Sequence, residues 1–200
     1  PYVCPDDCPD CQQGGPFGCL DNCPEQHNPD QIDTDGDGLP DCVDLDVDGD
    51  GLADLLVGAS NNNEGGYTAG KSYLVYGSTA SAGGTLSLAS ADVVIIGEAE
   101  GDESGKVAGA GDVDGDGLDD VLVGAPGNGD GGSDAGKTHL FYGATLNAGG
   151  AFTLAGSDAA FVGEAAADHS GHVASSAGDV NGDGFADLLV GAQNPYTTDT

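Results

Sequence analysis

Short apolar runs bounded by Gly, Ser, Asn and Asp recur from residue 45 onward. In the middle of the chain they fall near Lys106–Ala110, Val121–Ala125, Thr138–Tyr142 and Ala159–Val162. Each is short, rich in strand-forming residues and flanked by turn residues, which predicts strands rather than helices. Tyr73 and Val75 alternate with Leu74 and Tyr76, the period of a two-faced strand. Glycine occurs 37 times in 200 residues and no helical period is visible, so long helices find no support. The longest purely aliphatic run, Val93–Ile96, is far short of a membrane span.

These runs repeat as a set. Asp46–Ser60, Asp112–Pro126 and Asp179–Gln193 are three copies of one pattern, offset by 66 and 67 residues. The agreement extends further: Ala69–Gly77 matches Ala135–Gly143, Asp92–Glu98 matches Asp158–Glu164, and Ser104–Ala108 matches Ser170–Ala174. A fixed long period means stacked or radially arranged units. Four antiparallel strands per unit is the arithmetic of a propeller blade. The expected fold is all-β: an incomplete set of about two to three four-stranded, β-propeller-type blades over residues 45–200, behind an irregular arm at residues 1–44. The first copy is expected to lack its inner strand, and the last stops after its second.

Each copy opens on an acidic loop. In the middle one, carboxylates stand at loop positions 1, 3, 5 and 9: Asp112, Asp114, Asp116 and Asp120. Gly117 at position 6 permits a sharp turn, and Leu118 at position 7 can offer its carbonyl. Oxygen ligands at this spacing are what a hard cation such as calcium takes from a looped chain. Two carboxylates roughly 5 Å apart repel by about 3 kcal/mol at an effective dielectric of ~20, and a divalent cation reverses that sign. The same positions are Asp46, Asp48, Asp50, Leu52 and Asp54 in the first copy, and Asp179, Asn181, Asp183, Phe185 and Asp187 in the third. The loop is not an EF-hand, because position 12 is Val123 inside an apolar run rather than a bidentate Glu opening a helix. A dockerin reading fails for the same lack of a following helix.

Residues 1–44 hold all six cysteines, Cys4, Cys8, Cys11, Cys19, Cys23 and Cys42, with almost no apolar residues. A segment that cannot build a core must be stapled covalently or by metal. Zinc on the Cys8–Cys11 pair is one option. The even count, the Pro-rich acidic context and the adjoining acidic loops favour disulfides in an oxidising compartment.

The stretch from Asp21-Asn-Cys-Pro24 to Asp33-Thr-Asp-Gly-Asp-Gly-Leu-Pro-Asp41-Cys42-Val-Asp44 resembles a thrombospondin type 3 repeat. That resemblance implies a calcium-wrapped segment with little regular structure and a Cys23–Cys42 bridge. It also implies ligands at Asp33, Asp35, Asp37, Asp41 and Asp44, with Leu39 at position 7. The pairing of Cys4, Cys8, Cys11 and Cys19 is left open. The three later copies are similar to FG-GAP repeats, the blades of the integrin α-subunit β-propeller. Gly124-Ala-Pro126 carries the match, weakened to Gly-Ala-Ser at Gly58 and Gly-Ala-Gln at Gly191. The aromatic-Gly part has become Ser104-Gly105 and Ser170-Gly171. The resemblance implies a cation in the hairpin loop between the first two strands of each blade, about four or more calcium ions when the arm is included.

Three basic residues stand against 35 acidic ones, for a net charge of −32. Nucleic acid and anionic membranes, which need positive charge, are excluded as partners. His27, His139, His169 and His172 are scattered; His139 aligns with Tyr73 and His172 with Lys106, as at tolerated surface or strand positions. Ser104 and Ser170 read as turn residues, and Lys71, Lys106 and Lys137 as partners of nearby acids. No Asn-x-Ser/Thr acceptor occurs, so N-glycosylation is not expected. The sum is an extracellular, secreted or surface-displayed, calcium-binding structural or adhesion protein without catalysis. Its expected partner is another extracellular protein, a glycan, or copies of itself, with no membrane insertion. Two alternatives stand beside it: a filament or matrix subunit whose partial blades neighbouring chains complete, and an accessory region of a larger secreted enzyme. The chain is expected to be a mature product or a segment of something longer.

Overall fold

The computed structural model describes residues 45–193. Three sheets follow one another along the chain. The first joins β1 (Leu55–Ala59), β2 (Lys71–Val75) and β3 (Val93–Ile96) antiparallel. The second is the complete unit: β4 (Lys106–Gly111), β5 (Asp120–Ala125), β6 (Lys137–Phe141) and β8 (Ala159–Val162), antiparallel in the order β4-β5-β6-β8. The third is a hairpin of β9 (Val173–Gly178) and β10 (Asp187–Gly191). These are partial propeller blades, as the apolar runs predict. The two helices, α1 (Gly77–Ala80) and α2 (Gly143–Leu146), are single turns. No described helix is long and apolar enough to cross a membrane. Where the inner strand of the first blade would begin, residues 40–44 lie outside the described residues.

One element departs from the expected four-strand unit. Strand β7 (Gly150–Thr153) belongs to the second repeat by sequence, yet pairs in parallel with β3 of the first blade, Val93 opposite Gly150 and Ile96 opposite Thr153. The first sheet therefore has four strands, in the order β1-β2-β3-β7. The second repeat hands one strand back to the blade before it.

The handover places the core between blades rather than within one. Leu74, Val93 and Ile95 of the first blade pack with Val121, Val123, Phe141, Leu146 and Leu154 of the second, all essentially sealed from water. Phe152 on β7 meets Phe141 edge-on at 6.3 Å between ring centroids. The Tyr76 hydroxyl donates to the Leu146 carbonyl at 2.8 Å across the seam. A second cluster of Ala110, Leu122 and Leu140 packs toward Ala174 and Leu188 of the third blade. Backbones meet almost directly at the far end: a Cβ on Gly124 would stand 1.9 Å from the Gly171 carbonyl oxygen, so only glycine admits this approach.

Candidate metal centres

The second and third acidic loops connect the first two strands of their blades, and each begins at a bulge. In the second blade the β4–β5 register shifts between Gly109 and Gly111, and in the third the β9–β10 register shifts between Asp187 and Leu188. Gly111 and Gly178 then take positive φ, 72° and 68°. The extra residue twists the strand end and aims the position-1 aspartate into the turn.

The loop folds around that first carboxylate. Asp112 Oδ1 accepts from the Gly115 and Asp116 amides at 2.6 and 3.2 Å, and Oδ2 from Gly117 at 2.9 Å. Asp114 Oδ1 accepts from Asp116 N at 3.2 Å, and Asp116 Oδ1 from Leu118 N at 2.9 Å. The same bonds recur around Asp46, with Gly49, Asp50, Gly51 and Leu52 as donors. They recur again around Asp179, with Gly182, Asp183, Gly184 and Phe185. At positions 3 and 5 one carboxylate oxygen is spent on the backbone. The Oδ2 atoms of Asp48, Asp50, Asp114 and Asp116 accept nothing among the described residues.

Those acids converge. Ligand oxygens of Asp46, Asp48 and Asp50 lie within 4.8 Å of one another, as do those of Asp112, Asp114 and Asp116. In the third loop Asn181 stands at position 3, leaving two carboxylates at these positions. The donor set is all oxygen, the preference of a hard divalent cation. The electrostatics point the same way. Burial, then the neighbouring loop carboxylates, raise Asp48 and Asp114 from the ordinary aspartate value. Asp179 is lowered, chiefly by the Gly184 amide.

Position 9 has a different setting. Asp54 lies outside the close triad: its Oδ2 accepts from Val47 N and its Oδ1 from Gly77 N, both at 2.8 Å. Asp120 does the same with Val113 at 2.9 Å and Gly143 at 2.8 Å. These carboxylates staple the loop to the first amide of the short helix after the blade's third strand. Burial raises both to about 6. Asp187 accepts from Val180 N at 2.8 Å. Position 7 carries a task beyond its carbonyl. The Leu118 side chain lies over Gly49 of the preceding loop, where a Cβ would come within 2.8 Å of Leu118 Cδ2. Phe185 lies over Gly115 in the same way, at 2.4 Å.

Asp119 is the residue that loop reading misses. Its carboxylate accepts from Asp46 N at 3.1 Å while its own amide donates to the Asp46 carbonyl at 3.0 Å. Burial raises it to about 6. The only sequence signal is that Asp119 stands where the other copies have Ala53 and Ala186. At the next seam Ala186 keeps just the backbone bond, to the Asp112 carbonyl at 2.9 Å.

Other singled-out residues fall elsewhere. His139 is fully buried on β6, its Nδ1 3.0 Å from Ser157 Oγ and its Nε2 3.7 Å from Glu98. It is a strand position but not a surface one. Burial, helped by Lys137, lowers it to about 4. Lys71 pairs with Glu64, and Lys137 with Glu98 and Asp130 at 3.0 and 2.9 Å. Ser104 is buried and donates to the Ala69 carbonyl at 2.8 Å. The arm's expected ligands Asp33, Asp35, Asp37, Leu39, Asp41 and Asp44, and its cysteines Cys4, Cys8, Cys11, Cys19, Cys23 and Cys42, lie outside the described residues.

Two successive four-stranded sheets and a hairpin, with acidic loops that pack one on the next, define a blade-repeat protein of propeller type. The model of one family, the FG-GAP repeat, matches residues 42–75, 104–141 and 173–200, together half of the chain. The chain belongs to the FG-GAP repeat family. No curated protein matches it.

Proposed function

We propose that this chain is an extracellular, calcium-stabilised structural or adhesion module without catalytic activity, its blades of the kind found in integrin α subunits. The observation that carries the reading is the convergence of three carboxylates within 4.8 Å in each of two successive loops. Asp46, Asp48 and Asp50 would hold one ion, and Asp112, Asp114 and Asp116 a second. Asp179, Asn181 and Asp183 would form a third, weaker site. The carbonyls of Leu52, Leu118 and Phe185 are further donors by position, and Asp54, Asp120 and Asp187 brace each loop from behind. A bound cation supplies positive charge that cancels carboxylate repulsion and fixes the turn.

Two considerations support a non-catalytic role. The buried His139 is held neutral inside the sheet, away from bulk substrate. The acidic loops are stapled for rigidity and interlocked between blades. A net charge of −32 keeps anionic polymers away and favours cationic or cation-bridged partners. Calcium titration by calorimetry, with near-UV circular dichroism and protease resistance before and after chelation, tests the reading. Saturable binding with loss of rigidity on chelation supports it; indifference to chelator defeats it.

A further inference from the structure

Two Asn-Gly dipeptides occur in the sequence, Asn128-Gly129 and Asn181-Gly182. Asparagine is chemically labile, most of all before glycine, where no Cβ obstructs attack by the next backbone nitrogen on the side-chain amide. The fold treats the two dipeptides in opposite ways. Asn128 is 3% exposed, and its Nδ2 donates to the equally buried Asp102 carboxylate at 3.0 Å. Its own amide donates to the Ala125 carbonyl at 3.0 Å, and its carbonyl accepts from Gly136 N at 2.9 Å. Ring closure there would have to break these bonds, and hydrolysis would have to bring in water.

Asn181 and Gly182 are exposed. The exposure belongs to the loop position. Asp114, the counterpart of Asn181, is exposed although Phe185 packs over the adjacent Gly115. The hydrogen bonds around Asn181 favour attack on its side chain. Asn181 Oδ1 accepts from the Asp183 amide at 2.9 Å, which draws electrons from Cγ and stabilises negative charge developing on that oxygen. The Gly182 N–H donates to Asp179 Oδ1 at 2.6 Å, so the proton this nitrogen must shed faces an acceptor. The departing Nδ2 has one long bond, 3.4 Å to Asp187 Oδ1.

We propose that Asn181 is a site of spontaneous deamidation, through which the third loop acquires the carboxylate that the first two loops carry at this position. The Gly182 nitrogen attacks Asn181 Cγ. The N–Cγ bond forms, the Cγ–Nδ2 bond breaks, and ammonia leaves with the Gly182 amide proton, giving a cyclic imide. Water then opens the ring, its hydroxyl adding to one carbonyl carbon and its proton returning to the Gly182 nitrogen. Opening at Cγ leaves aspartate at 181, beside Asp179 and Asp183. Opening at the backbone carbonyl leaves isoaspartate, which reroutes the main chain through Cγ and breaks the register of the turn. The third loop therefore changes its charge as the molecule ages, a route closed to the first two loops, which have no asparagine. Tighter cation binding by the aspartyl product rests on the calcium reading above; the conversion itself does not.

The test incubates the 200-residue chain in millimolar calcium, with near-UV circular dichroism as the check on folding. Peptide mass mapping with fragmentation reads amide-to-acid conversion at each asparagine and separates aspartate from isoaspartate. In the native chain Asn181 should convert at least about tenfold faster than Asn128, and in urea the two should draw level. Gly182→Ala should slow conversion at Asn181 about tenfold and leave Asn128 unchanged. Equal native rates, or faster conversion at Asn128, overturn the proposal, and so does a rate at Asn181 that ignores Gly182→Ala. Calorimetry of Asn181→Asp, identical to the first product, should show the third site binding calcium about tenfold more tightly than in the wild type. Absence of calcium binding by both proteins counts against the calcium reading alone, because conversion is read by mass.

Discussion

Asp114→Asn should change the sign of its effect with calcium. The three carboxylates of its loop lie within 4.8 Å of one another, and Asp114 and Asp116 are exposed, so solvent screening applies. At that separation and a water-like dielectric each pair repels by ~0.9 kcal/mol. Asp114 takes part in two pairs, so its neutralisation relieves about 2 kcal/mol in the ion-free protein. The amide oxygen still accepts from Asp116 N, so the turn survives. For a chain of this size the Tm in chelator should rise by ~4–8 °C. In saturating calcium the substitution would remove a charged ligand from the proposed site. A tenfold weaker site loses about 1.4 kcal/mol of linked stability, and the Tm should fall by ~3–5 °C. Differential scanning calorimetry of both proteins, with calcium and with chelator, reads the crossing directly. Asn181 already occupies this position in the third loop, so Asn181→Asp should lower ion-free stability. A shift of the same sign in both buffers, or a wild-type Tm that ignores calcium, refutes the reasoning.

Three further outcomes are expected. Gly115→Ala and Gly182→Ala impose the same left-handed strain, at φ 80° and 78°, but only Gly115 has a neighbour, Phe185; denaturant melts should show Gly115→Ala costing about 1 kcal/mol more. Tyr76→Phe should cost about 1 kcal/mol by losing the bond to Leu146 and leave calcium affinity unchanged by calorimetry. The buried His139 has its pKa lowered from 6.5 to about 4, so the unfolded chain binds the extra proton between those values. Its contribution is therefore intact above pH 6.5 and is lost as pH falls toward 4, up to about 3 kcal/mol; in calcium, His139→Tyr, the residue of the first repeat, should flatten that part of the stability–pH profile.

The blade strands were legible because each is a short apolar run closed by turn residues, and because the pattern recurs at a fixed offset. Their ends moved by a residue: β5 starts at Asp120 rather than Val121, since its carboxylate bonds draw position 9 into the ladder. Strand β7 was not legible. It is four residues long, opens on glycine, lies mostly exposed and pairs with another repeat, so no local period reveals it. The recurrence of Gly-Gly-x-Phe/Leu-Thr/Ser-Leu at residues 83–88 and 149–154 was the one available signal. In the loops, residue type and spacing disclosed the convergent triads but not the division of labour behind them. That position 9 braces a helix turn, that position 7 covers the neighbour's glycine and that Asp119 clasps Asp46 are all contacts between segments far apart in sequence.

Those contacts explain why the acidic loops bear on the stability of the whole stack rather than of single hairpins. The first blade does not seal its own core; Val93 and Ile95 are dry because Phe152 of β7, Leu146 and Leu154 lie on them. Strand β7 follows α2 directly, and the amide of Gly143 at the head of α2 is held by Asp120, the last residue of the loop. Electrostatic strain in the loop therefore acts on a side chain that also positions the inter-blade seal. At the loop end of the same seam, Asp119 and Leu118 seat the second loop on the first, so repulsion within one loop acts against the backbone of its neighbour. Any rigidity gained in the turns by cancelling that charge would thereby be carried into the hydrophobic seams, which an isolated surface ion site would not do.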